Sequence, residues 1–200
     1  MPRINGHAVP ALFPGSGPVS VMLFGEAPGP RGADQSGIPF WGDGAGITVF
    51  RALVATGRAV VPEAAWEDWD GARLKTLGLS PRLVRTALSN AYPACPTKDG
   101  EHFHAPSNQE LLHPANLERL GAELARAAEG GNSPLRVIAF GKRAEWVLTR
   151  LPDASAVALH ALPHPSAQGL LQAAPGKGRG LKLEDLRTAW RDRLEGLLRG

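Results

Sequence analysis

Apolar residues along this chain fall into two patterns. Short unbroken runs (Val19-Ser20-Val21-Met22-Leu23-Phe24, Leu83 to Ala91, Leu135-Arg136-Val137-Ile138-Ala139-Phe140, Ala156 to Leu162) end at or near Gly, Asn or Pro and predict four buried strands. Between them the period lengthens. Ile47, Phe50, Leu53 and Val54 recur at helical spacing and meet a stop at Gly57; Leu111, Leu112, Leu117, Leu120 and Leu124 do the same and close at Gly130-Gly131, so each set predicts a helix. Gly141-Lys142-Arg143-Ala144 opens another helix carrying Trp146, Val147 and Leu148, and Leu186, Trp190, Leu194 and Leu197 share one face of a last helix from Leu183 to Leu198. Pro62 to Pro81, with Trp66, Trp69 and Leu74, reads as one or two short helices, whereas Pro93 to Asn108 is polar and aperiodic.

Strands that alternate with helices pair in parallel through right-handed crossovers, which places helices on both faces of the sheet. The expected fold is α/β: a three-layer α/β/α sandwich around a short, mainly parallel four-stranded sheet, with residues 1–200 as one domain. In such a sheet a ligand sits beyond the carboxyl ends of the strands. The segments just past those ends are Gly25-Glu26-Ala27-Pro28-Gly29, Asn90-Ala91-Tyr92-Pro93, Gly141-Lys142 and His164-Pro165-Ser166.

Composition narrows the classes. A length of 200 residues, 43% hydrophobic, suits one well-packed domain, and the apolar runs are far shorter than the roughly 20 residues that cross a bilayer. With no signal-peptide pattern near Arg3, the expected location is the cytoplasm. The net charge of +3 and pI of about 9.4 permit nucleic acid as a partner without demanding it. A single cysteine, Cys95, excludes an intrachain disulfide and a four-thiolate iron–sulfur cluster. Cys95, His102, His104 and His113 share a polar region but lack a standard zinc spacing, so no metal is expected. Trp66, Trp69, Trp146 and Trp190 are expected to pack structurally.

Taken together, the motifs say more than any of them does alone. Gly25-Glu26-Ala27-Pro28-Gly29, then Gly37-Ile38-Pro39-Phe40-Trp41-Gly42-Asp43-Gly44-Ala45-Gly46, Asn90 at a strand end, Phe140-Gly141-Lys142-Arg143-Ala144 and His164-Pro165-Ser166 stand in this order from Val19 to Leu171. The order resembles the uracil-DNA glycosylase superfamily. The first motif is similar to that of its iron–sulfur branch, and Pro39-Phe40-Trp41-Gly42-Asp43 to that of its broad-specificity thermophile branch. Two departures stand out: the cluster cysteines are missing, and Ala27 occupies the place where the best-known branch carries a carboxylate.

The resemblance implies a monofunctional hydrolase of base-excision repair, monomeric and nucleoid-associated, which flips uracil or another deaminated base out of DNA and cuts its N-glycosidic bond without a cofactor. Phe40 would stack on the base and Asn90 would read its edge, in a pocket formed with Gly25, Ala27 and Gly29. His164 would donate to the developing oxyanion. Asp43 or Glu26 would orient water, with Asp34 a more distant candidate. Ser166 and the backbone around Pro165 would position phosphate, Lys142 would contact DNA, and Gln168 or Leu170 would enter the gap left by the base. Gly29 replaces a bulky gate and so suggests a roomier pocket. The alternative is a catalytically weak or inactive glycosylase-like DNA-binding protein, which Ala27 keeps open; an α/β hydrolase-like or zinc-dependent enzyme on a small nucleotide rests on fold analogy and the Cys/His segment alone.

Overall fold

A computed structural model describes residues 3–131, 134–151 and 157–199. In chain order the elements are β1 (Val21–Gly25), α1 (Ala33–Ser36), α2 (Gly46–Ala55), β2 (Ala59–Val60), a 3-10 turn (Glu63–Trp66), α3 (Gly71–Thr76), β3 (Arg82–Leu83) and β4 (Thr86–Asn90). There follow α4 (Asn108–Leu111), α5 (Pro114–Ala128), β5 (Arg136–Phe140), α6 (Lys142–Leu148), β6 (Ala158–Leu162), α7 (Ala167–Ala173), a second 3-10 turn (Pro175–Gly178) and α8 (Leu183–Arg199).

The main sheet has four strands in the order β4-β1-β5-β6, all parallel. Strand alternation splits the core in two. Val21, Leu23, Leu88, Ile138 and Phe140 face α2, α3, α7 and α8; Met22, Phe24, Ala87, Val137 and Ala139 face α4, α5 and α6. β1 and β4 are buried along their whole length, as both-faced burial in a parallel sheet requires. This is the mixed α/β architecture that the hydrophobic pattern predicts.

Three boundaries differ from expectation. Leu83 does not continue into β4: it pairs with Ala59 in a separate antiparallel ribbon of β2 and β3. Arg85, with φ of +50°, turns the backbone between the two strands. The leucine pattern after Asn108 divides into two helices, because Pro114 has no amide hydrogen and fits only the first turn of a new one. Ala156, the predicted start of the last strand, lies outside the described residues.

The carboxyl ends of the strands carry the site, and the opposite edge is tied to α8. There Arg58 Nε donates to the Leu198 carbonyl at 2.8 Å, and Arg136 donates to that of Leu197. These two guanidinium groups satisfy last-turn carbonyls that have no partner within the helix.

Candidate active site

A cleft of about 630 Å³ opens beyond the carboxyl ends of β1, β4, β5 and β6. It lies where the connections from β1 and β5 depart in opposite directions, to β4 on one side and β6 on the other. Glu26, Ala27, Gly29, Phe40, Asp43, Asn90, His164, Ser166 and Gln168 all line it. One hollow therefore gathers residues 142 positions apart in sequence, from Glu26 to Gln168.

At its floor, Asn90 ends β4 beside Gly25, its register partner in β1. The Asn90 residue is only 3% exposed, and its buried Nδ2 has no hydrogen-bond partner among the described residues. A buried amide donor without a partner is costly, so this group awaits an acceptor. Phe40 stands beside it, edge-to-face with Phe140 at 5.6 Å and with φ of +64°. A phenylalanine in the left-handed region stores strain, and such strain gathers at functional sites. Gly25 makes the pairing possible: a Cβ there would lie 2.5 Å from Asn90 Oδ1 and 2.9 Å from the Phe40 ring. The Asn90 backbone is fixed in turn by Arg119, whose Nη2 donates to its carbonyl at 2.9 Å.

One wall is formed by Asp43. Its Oδ2 accepts from the Ala33 amide at 3.2 Å, and a Cβ on Gly29 would fall 2.2 Å from its Oδ1. This corrects the expectation for Gly29: the space its missing side chain leaves is filled by the Asp43 carboxylate and does not widen the pocket. Asp43 is partly exposed as a residue, but its carboxylate is packed against this backbone. Burial pushes its pKa up to about 6, against the opposing pull of amides from Ala33, Gly32 and Gly29. Trp69 adds an anchor by donating from its indole to the Asp43 carbonyl at 2.8 Å. Asp34, by contrast, is committed elsewhere: its carboxylate accepts the amides of Asn5 and Gly6 at 2.8 and 2.9 Å.

His164 lines the same cleft. The Ser166 amide donates to its Nδ1 at 3.2 Å, so in the neutral ring the proton is on Nε2. Burial lowers the imidazole pKa and favours this neutral form. Trp190 donates to the Pro163 carbonyl at 2.8 Å and thereby fixes the segment just before His164. The Trp69 and Trp190 rings pack as expected, but their N–H groups also hold the site, which no spacing in the sequence discloses.

Ser166 caps α7, its hydroxyl accepting from the Gly169 amide at 3.1 Å. Gln168 is exposed on the lip. Leu170 does not match its expected role: it is 4% exposed and packed in the core with Trp190 and Leu194, because it turns toward α8. Lys142 is exposed at the start of α6, outside the cleft lining. Its neighbour Arg143, which sequence reasoning passed over, is the residue that reaches in. Its Nε lies 3.0 Å from Glu26 Oε1, an ion pair without hydrogen-bond alignment. Burial raises the Glu26 pKa, and the Arg143 charge opposes that rise.

Phe103 was also missed, since nothing in an aperiodic polar segment marks it; it is 47% exposed and lines the cleft. Cys95 is buried, and His102 pairs with Asp99 at 2.7 Å. Among the described residues no group of three or more His, Cys, Asp or Glu side chains is placed to hold a metal ion. Nor, among them, is any helix long and apolar enough to cross a membrane.

Comparison with solved structures finds the wild-type SMUG2 crystal structure from Pedobacter heparinus, with a TM-score of 0.55 and 12% identity, covering 92% of this chain and 77% of that one. At that identity the likeness concerns the fold. No curated protein sequence matches. The family model of the uracil DNA glycosylase superfamily matches residues 14–192, a span that contains every wall of the cleft just described, and the chain belongs to that superfamily.

Proposed function

We propose that this protein is a DNA glycosylase of base-excision repair that hydrolyses the N-glycosidic bond of uracil, or of a related deaminated base, after the nucleotide is flipped from the helix. The observation that carries the reading is the unpartnered Asn90 Nδ2 at the floor of a cleft walled by Phe40, Asp43 and His164. A flipped uracil would accept from that donor through O4 and give its N3–H to Asn90 Oδ1, while its ring stacks on Phe40. Cytosine presents the reverse pattern and is refused.

As the C1′–N1 bond breaks, its electron pair moves onto the base, where His164 Nε2–H donates to O2. A preorganised donor of this kind contributes on the order of 3 kcal/mol. The sugar is left electron-poor. Ionised Asp43 stabilises it and takes a proton from the water whose oxygen bonds to C1′. Glu26 is the weaker candidate, because its carboxylate is already engaged by Arg143. Ser166 and Lys142 contact phosphates, and Gln168 fills the vacated place in the stack. The protein acts as a monomer on DNA inside the cell.

The test is abasic-site formation from single- and double-stranded oligonucleotides carrying one uracil, hypoxanthine or xanthine. Wild type and Glu26→Gln should yield product, whereas Asp43→Asn and His164→Ala should lose about 10²–10³ in rate. DNA binding by wild type without product on any lesion would establish the non-catalytic DNA-binding reading instead.

A further inference from the structure

Arg143 touches two walls of the cleft at once. From the second residue of α6 its Nε faces Glu26, and its Nη2 donates to the Pro106 carbonyl. Pro106 closes a segment that is ordered within itself. Thr97 and Phe103 form an antiparallel bridge, the Asp99 carboxylate accepts the amides of Glu101 and His102 at 2.9 Å, and Thr97 accepts that of Gly100 at 2.9 Å. At its end Ser107 is joined to α4 by a capping box with Glu110; elsewhere the rest of the protein holds this unit chiefly by the Ile4 amide to the Gly100 carbonyl at 2.8 Å and by the Arg143 guanidinium. Its one large apolar side chain, Phe103, is 47% exposed at the rim of the cleft.

We infer that Arg143 is a positioning residue that braces the 96–107 segment against Glu26 and so holds Phe103 at the mouth of the cleft, where the ring packs against bases of the opened duplex. This role rests on the reading of the cleft as a glycosylase site. It suits the groups present: an exposed aromatic face stacks on any base regardless of sequence. A guanidinium can bond to two partners in fixed geometry, which an ammonium of similar charge cannot. Among the described residues that line the cleft Arg143 is also the only Lys or Arg, so losing the brace would also leave Glu26 without its counter-charge.

The experiment is a double-mutant cycle on Phe103 and Arg143, read as the single-turnover rate on a uracil duplex divided by that on the single strand. Phe103→Ala and Arg143→Met should each lower this ratio about tenfold, and the double variant no further than the worse single one. Arg143→Lys should stay low. Hydrogen exchange of amides 96–107, which needs no activity, should rise in Arg143→Met and not in Phe103→Ala. Additive losses, full recovery with lysine, or unchanged exchange would each overturn the brace while leaving the glycosylase reading intact. A wild type without product on any strand would remove the reaction itself, and this role with it.

Discussion

The Asp43 carboxylate sits where ionisation is costly, and its chemistry follows from that. If it takes a proton from water it must be charged, so the rate should rise with pH through an apparent pKa of about 6 and level off above it. A pH–rate profile checks this, and in Asp43→Asn any residual activity should lack that limb. The same burial has a thermodynamic side. Because the folded-state pKa lies above the ordinary value of 3.8, the stability it contributes is complete below that value and is lost as pH rises through about 6. Asp43→Asn should therefore melt at a higher temperature than wild type above pH of about 6, with the gap closing as pH falls toward 3.8, a comparison that scanning calorimetry makes directly. Gly29 belongs to the same arrangement. Since a Cβ there would occupy the place of Asp43 Oδ1, Gly29→Ala should shift the acid and cost about 10² in rate, as a displacement of roughly 1 Å does. The crystal structure of that variant would show the carboxylate moved.

Among the secondary-structure elements, those whose apolar faces are continuous were legible. β1, β5, α2 and α8 lie within a residue or two of where their hydrophobic pattern places them, because burial on a sheet face imposes a period that the side chains must carry. The places that escaped prediction follow a different physics. The break between β3 and β4 depends on Arg85 adopting a left-handed backbone, and nothing in its type announces that. Leu170 offers an apolar side chain in a loop-like context, but only the position of α8 decides that it turns inward. Motif order in the sequence brought Asn90, Phe40, Asp43 and His164 together correctly, whereas Arg143 and Phe103 join them through contacts between segments distant in sequence. Trp190 shows how an element acts on the site without touching it: α8 presents the indole that holds the Pro163 carbonyl. Trp190→Phe keeps most of the packing and removes one hydrogen bond, at about 1 kcal/mol of stability. If His164 donates to the leaving base as proposed, loosening of its segment should lower the excision rate about tenfold, since alignment of such a donor is worth at least that much. Denaturant melts and single-turnover rates separate the two effects.

Taken whole, the molecule divides its tasks between the two edges of one sheet. The carboxyl edge holds groups that are strained, buried without partners or raised in pKa, and the amino edge holds the arginines that finish α8. Arg136→Ala should accordingly cost about 1 kcal/mol, since a partly buried helix end loses a charged donor, while excision stays near the wild-type rate. Chemical denaturation paired with the oligonucleotide assay tests that separation. The direction of α8 has a practical meaning as well. Its last turn rests against Arg58 and Arg136 at the far edge, about 15 Å of strand length away from the cleft. A fluorophore, a surface linker or a second protein joined to that end would face away from the rod of DNA, leaving the mouth of the cleft open to a substrate much longer than the protein.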